Sequence, residues 1–287
     1  MRTVALVAAL ACLWGSGFFW IRLSLLGLSP LQLTFARLAL GALVLLGVIV
    51  ATSRQLRVQP PALLGHLAVA ALLANAVPYT LFAFAEQTVA SSTAGAINAT
   101  TPLWTALIVL AIGSETRPGR RRVAGLALGF VGAVVVLEPW SATQIGTVAG
   151  LIACGAAAAS YGVSYVYQAR FIANRGVPPI VLAAVQLSAA AVLLGLTLPF
   201  GGTQPLTLSP VVLAAIGVLG VLGTGVAYVI NFELIARGGA VAASTVTYLV
   251  PVVAVALGVA VLGEPLAWTL PAGLVLVLAG TALVTRP

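Results

Sequence analysis

The chain has 287 residues, 61% of them hydrophobic and only 6% charged, with a formal net charge of +8. A water-soluble domain carries roughly a quarter charged residues, so this composition is made to face lipid. Every basic residue is an arginine and every acid a glutamate, which excludes a P-loop lysine on nucleotide phosphates, the aspartyl nucleophile of a phosphorylated-intermediate pump and a retinal Schiff-base lysine.

Apolar runs of about 20 residues suit membrane-spanning helices. Taken in order, and bounded by arginines, prolines and polar clusters, they predict spans near residues 4–24, 31–51, 62–85, 91–112 and 121–137. Five more follow near 145–169, 178–199, 210–232, 241–262 and 268–285. Residues 2–16 have the charge and small residues of a secretory signal, but the nine runs that follow make them the start of a first span. Cys12 and Cys154 fall inside apolar runs without metal-ligand spacing and read as small packing residues.

Arginines crowd the alternate connectors. With the amino terminus inside, Arg2, Arg54, Arg57, Arg117, Arg120, Arg121, Arg122, Arg170, Arg175, Arg237 and Arg286 all lie on the cytoplasmic side, which places both termini there by the positive-inside rule. The same rule accounts for the basic charge without nucleic acid as a partner.

A shift of 149 residues lays Tyr79 on Tyr228, Pro102 on Pro251 and Glu115 on Glu264. At 148, Gly125 falls on Gly273 and Gly132 on Gly280; at 147, Trp14 falls on Tyr161 and Gly15 on Gly162. The expected fold is therefore all-α and integral to the membrane, with ten helices as two five-helix repeats, residues 1–140 and 141–287. An odd number of spans per repeat turns the second copy over, an inverted pair of the kind used for alternating access.

The run Trp14-Gly15-Ser16-Gly17-Phe18, the Pro30 and Arg37 of the second span, and Gly263-Glu264-Pro265 together resemble the drug/metabolite transporter superfamily, and within it the EamA type. The resemblance covers nearly the whole chain; Ser114-Glu115-Thr116 departs from the Gly-Glu-Pro pattern in the first repeat. It implies an inner-membrane carrier, usually an exporter, of amino acids, other metabolites or organic cations.

Residues for transport gather where helices must bend. Pro78, Pro102 and Pro251 each remove a helix hydrogen bond, and freed backbone groups must be buried in protein or line a polar cavity. The substrate cavity is expected near Pro102 and Pro251, lined by Trp14, Phe18, Asn75, Tyr79, Asn98, Thr101, Tyr161, Tyr165, Tyr228, Asn231, Ser244 and Tyr248. Buried amides demand partners. Trp14 with Phe18, and Tyr161 with Tyr165, sit four apart on one helix face, where rings suit an apolar or cationic substrate; packing and helix glue are the competing roles. Glu86 and Glu233, near the ends of the third and eighth spans, read as a proton relay or as solvated caps. Arg37, about 10 Å along its helix, reads as an anchor snorkelling outward rather than a carboxylate clamp. His66 has no identifiable partner in the sequence and is given no proton-carrying role.

The expected function is a secondary transporter that exports small metabolites, chiefly neutral or hydrophobic and aromatic amino acids, from the inner membrane, with quaternary cations as the alternative. No metal or cofactor is expected. A passive channel and a membrane-embedded enzyme, which needs a nucleophile with its base or a metal cluster, are the other classes.

Overall fold

The computed structural model describes residues 2–52, 60–112, 119–137, 146–172, 175–231, 233–234 and 246–285. All regular structure among them is helical. Among the described residues, seven helices are long and apolar enough to cross a membrane: α1 (Ala5–Ser24), α2 (Pro30–Ala51), α3 (Pro61–Ala85), α4 (Ser91–Ala111), α6 (Val148–Phe171), α7 (Pro179–Gly201) and α8 (Pro210–Asn231). Three further helices with shorter apolar cores are α5 (Arg120–Leu137), α9 (Val246–Ala260) and α10 (Thr269–Thr285).

Prolines open α2, α3, α7 and α8, the one helical position where a missing N–H costs nothing. Ser29 completes a capping box on α2: its hydroxyl accepts from the Gln32 amide while the Gln32 side chain accepts from the Ser29 N–H. Thr147 and Ser209 cap α6 and α8 in the simpler way, satisfying donors that hydrocarbon cannot.

The helices depart from regularity in ways only partly tied to proline. In α3, residues Leu72–Ala76 form a π-helical segment just before Pro78. In α8, Val218–Val226 do the same without any proline, and the two segments overlap at the 149-residue shift. The wider turn frees carbonyls that hydroxyl groups satisfy: Ser160 Oγ of α6 donates to Leu73 O at 2.7 Å, and within α8 Thr224 Oγ1 donates to Leu219 O at 2.9 Å. α4 breaks at Ala99 and Thr100, with Pro102 in the first turn of the piece that follows. α9 runs on through Pro251 as an unbroken helix, so the lost hydrogen bond does not end the helix there.

Contacts between helices come in related pairs. α2 packs on α7, α4 on α9 and α5 on α10; α2 on α8 is matched by α7 on α3, α1 on α8 by α6 on α3, and α1 on α9 by α6 on α4. Each contact maps onto another, or onto itself, when helices five apart are exchanged. The α5–α10 seam is made of glycine. A methyl group on Gly132 would meet the Gly273 carbonyl at 2.7 Å, and one on Gly280 would meet the Gly125 carbonyl at 2.6 Å, so the two helices run antiparallel at backbone contact.

Gly263, at φ +67°, turns the chain after α9 through the left-handed region. The turn delivers the Glu264 carboxylate to the start of α4, where it accepts from the N–H groups of Ser91 at 2.7 Å and Ser92 at 2.9 Å. A carboxylate suits the positive end of a helix, and Gly258 leaves room for it. Gly-Glu-Pro thus ties one half of the chain to the other. Its counterpart around Glu115 lies outside the described residues.

Candidate functional site

Each of the two π-helical segments carries a buried polar side chain. Asn75 is fully buried in the segment of α3, and Thr224 is fully buried in that of α8. Neighbouring helices supply their partners. Gln186 of α7 donates through Nε2 to Asn75 Oδ1 at 2.7 Å, and Arg37 of α2 donates through Nε to Thr224 Oγ1 at 3.1 Å. One 149-residue separation relates Arg37 to Gln186 and Asn75 to Thr224, so the two hydrogen bonds are the same bond made twice.

Aromatic rings repeat the pattern. Tyr228 and Trp14 meet edge to face at 6.3 Å and 71°; their counterparts Tyr79 and Tyr161 meet at 6.4 Å and 69°. Asn75 Nδ2 also donates to the Tyr228 hydroxyl at 2.6 Å, and the Arg37 guanidinium carbon stands 3.7 Å from the centre of the Tyr79 ring. Phe18 joins indirectly, edge-on to Phe82 at 5.3 Å, which stacks on Tyr161 at 6.2 Å. The result is a buried cluster, polar at its centre and ringed by aromatics, assembled from α1, α2, α3, α6, α7 and α8.

Six of the sequence candidates meet here: Trp14, Phe18, Asn75, Tyr79, Tyr161 and Tyr228. Others do not. Thr101 donates to the Asn98 carbonyl at 2.8 Å, a local bond that spans the break in α4. Among the described residues, none of the cluster's hydrogen bonds and ring contacts named above reaches Asn98, Thr101 or Asn231. Tyr165, one turn beyond Tyr161, is half exposed. Ser244 and the Tyr248 side chain lie outside the described residues.

Three members were not singled out as site residues from sequence. Arg37 does not snorkel outward; it is 6% exposed, held between Thr224 and Tyr79, because the glycine-rich face of α8 lets α2 approach closely. Side chains on Gly41 and Gly220 would collide with Thr224 and Leu40 respectively, each at 2.7 Å. Gln186 and Thr224 carried a signal in the sequence, since the shift that pairs Tyr79 with Tyr228 also pairs them with Arg37 and Asn75.

Glu86 is not a solvated cap. It is fully buried, with Oε2 accepting from the Ser91 hydroxyl at 2.7 Å and Oε1 without a partner; the Arg22 guanidinium holds the Glu86 backbone carbonyl. Glu233 is exposed. His66 has partners after all: Nδ1 lies 2.7 Å from the Tyr167 hydroxyl, and its ring stacks on Phe171 at 4.8 Å. Cys154 is buried as expected, whereas Cys12 is exposed. Among the described residues no group of histidine, cysteine and acid is arranged to hold a metal.

A cavity of about 700 Å³ opens at one end of the bundle, between the end of α1, the start of α2, the end of α3 and the segment after α7. Leu25 to Leu31, Thr80, Phe84, Gln87 and Gln204 line it. Its wall is clipped together where Thr207 N–H donates to the Gly27 carbonyl at 3.0 Å and Gln32 Nε2 donates to the carbonyls of Gly202 and Gln204. This cavity is not beside Pro102 and Pro251; α4 and α9 instead meet closely where Gly95 faces Ala254.

Known proteins carry the same organisation. The sequence pattern of the EamA-like transporter family matches residues 1–138 and again residues 148–286. The inner membrane transporter YedA of Escherichia coli strain K12, described as uncharacterized, is 29% identical over 268 residues, covering 90% of this chain and 82% of its own. YedA of strain O157:H7 matches to the same extent. A solved crystal structure shares the fold at a TM-score of 0.72 with 22% identity, over 99% of this chain and 96% of that one. With both halves matched, the chain belongs to the EamA-like transporter family and is a multi-pass membrane transporter.

Proposed function

We propose that this transporter is a secondary carrier of small neutral amino acids with apolar or aromatic side chains, working by alternating access between two oppositely inserted five-helix repeats. The observation that carries the reading is the doubled cluster. Arg37–Thr224 and Gln186–Asn75, each with its edge-on ring pair, put equivalent groups from both halves around one buried centre, where inverted-repeat carriers hold their substrate.

Other features support it. The antiparallel glycine seam of α5 and α10 and the paired helix contacts suit halves that rock as bodies. The end cavity serves as the vestibule of one access state. Arginine placement favours both termini in the cytoplasm, likeness to an inner membrane transporter supports that membrane, and export is the direction of the proposed carrier. Four rings around the centre also favour a second reading, a carrier of quaternary cations.

Purified protein in vesicles, loaded with unlabelled substrate and given a panel of radiolabelled amino acids and quaternary amines, tests this. Saturable counterflow of neutral amino acids is expected. Flux that never saturates identifies a channel instead, and the same assay with and without a pH gradient separates proton antiport from facilitated diffusion.

A further inference from the structure

Arg37 carries a charge that no carboxylate pairs with among the described residues. A guanidinium keeps its charge under all conditions, and ionisable side chains at membrane depth ordinarily pair with one another or with backbone carbonyls. This one is 94% buried. Nε is satisfied by Thr224 and one face lies on Tyr79, but the two terminal nitrogens make no hydrogen bond, and no ion pair reaches Arg37 among the described residues. Glu86 does not pair with it: its Oε2 accepts from the Ser91 hydroxyl and its Oε1 has no partner. Among the described residues, the side-chain atoms both sealed from solvent and unpartnered are Thr80 Oγ1 and Glu86 Oε1. The Arg37 nitrogens are not among them, so their unbonded edge faces space that small atoms enter.

The second half of the cluster shows what is special here. At the equivalent position, Gln186 makes the equivalent bond with a neutral amide. Holding helices together at this point therefore requires only an amide, and the positive charge in the first half serves something else. A guanidinium edge presents two parallel N–H donors at the spacing of a carboxylate's oxygens. Its position over Tyr79 also takes the ring face that a substrate cation needs, and adds like-charge repulsion.

We propose that Arg37 is the anchor for a carboxylate on the transported molecule, so that the substrate class is organic carboxylates with an apolar or aromatic body, zwitterionic amino acids included, and not quaternary cations. The proposal rests on the carrier reading above and narrows it. Tyr79 and Thr224 hold the guanidinium edge toward the centre, and the neutral Gln186–Asn75–Tyr228 half receives the remainder of the molecule.

The test compares ligands that differ at the acid alone. In vesicles of the full chain, counterflow of radiolabelled phenylalanine is challenged with phenylpropionate, phenylalaninamide and tetraphenylphosphonium. Phenylpropionate is expected to compete, phenylalaninamide to be at least tenfold weaker, and tetraphenylphosphonium not to compete. Arg37→Gln is expected to raise the apparent KM for phenylalanine at least tenfold, with Arg37→Lys in between, while elution profile and melting stay those of the parent. An amide that competes as well as the acid, exchange of tetraphenylphosphonium in place of phenylalanine, or an unchanged KM in Arg37→Gln overturns the anchor and leaves the carrier standing. Failure of all the probes to exchange in the parent protein sinks both. If Arg37→Gln does not fold, the ligand series on the parent protein decides alone.

Discussion

The two halves of the buried cluster use the same positions for different ends. In one, Gln186 and Asn75 form a neutral pair that extends to the Tyr228 hydroxyl; in the other, Arg37 and Thr224 form a charged pair that extends to the Tyr79 ring. Geometry is shared almost to the degree, as the matched ring angles of 71° and 69° show, while electrostatics is not. Gene duplication in this chain therefore conserves the frame of a site more closely than its chemistry. On the proposed carrier reading, an inverted pair with identical contents would present the same surface to both ends of a substrate, and breaking the pair with one charge would give the site a polarity and the substrate one way round.

Moving the charge is the sharpest way to break that comparison. Arg37→Gln alone makes both halves neutral and is expected to cost at least tenfold in carboxylate exchange; adding Gln186→Arg should return part of it, because the new guanidinium faces the same centre from the other side. Counterflow with labelled phenylalanine measures both, and a double variant no better than the single one shows that the halves are not interchangeable. Tyr79→Ala removes the surface under the guanidinium and is expected to lower flux severalfold with little loss of folded yield. The counterpart Tyr228→Ala should cost stability as well, since it orphans an Asn75 donor.

Stability should divide the halves in a graded way. Asn75→Ala strips partners from both Gln186 and Tyr228 and is expected to cost about 1–3 kcal/mol, as buried groups left unsatisfied do. Thr224→Val removes one acceptor from a guanidinium that keeps its ring contact, and about 0.5–1.5 kcal/mol is expected. Thermal unfolding in one detergent, read side by side, gives the order; equal losses break the claim that the neutral half is the structural one. Smallest in its reach on transport is Glu264→Ala, which removes the carboxylate from the α4 N-terminus. A cost of about 0.5–2 kcal/mol is expected in the same assay, with the apparent KM unchanged.

Much of this was legible without coordinates, and particular residues show why. Apolar runs of bilayer length fix where helices lie, because lipid tolerates little else, and the spans read from sequence agree closely with the described helices. Trp14, Tyr79, Tyr161 and Tyr228 stood out because rings and repeats are visible as letters. The π-helical segments were not visible: Val218–Val226 contains no proline, and the segment lies where α2 approaches α8 closely through Gly41 and Gly220. At Pro251, by contrast, the lost hydrogen bond does not interrupt the helix.

By itself the sequence determined a lipid-facing, duplicated, helical chain and most of the rings at its centre, since composition and period act locally along one helix. Only the tertiary structure decided that Arg37 turns inward, that Glu86 is buried and that Glu264 reaches across to α4. Whether a long charged side chain goes to the surface or to the core depends on which helix lies against it, and that neighbour stands 187 positions away at Thr224. Burial is a property of pairs of helices, and no window along a single one contains it.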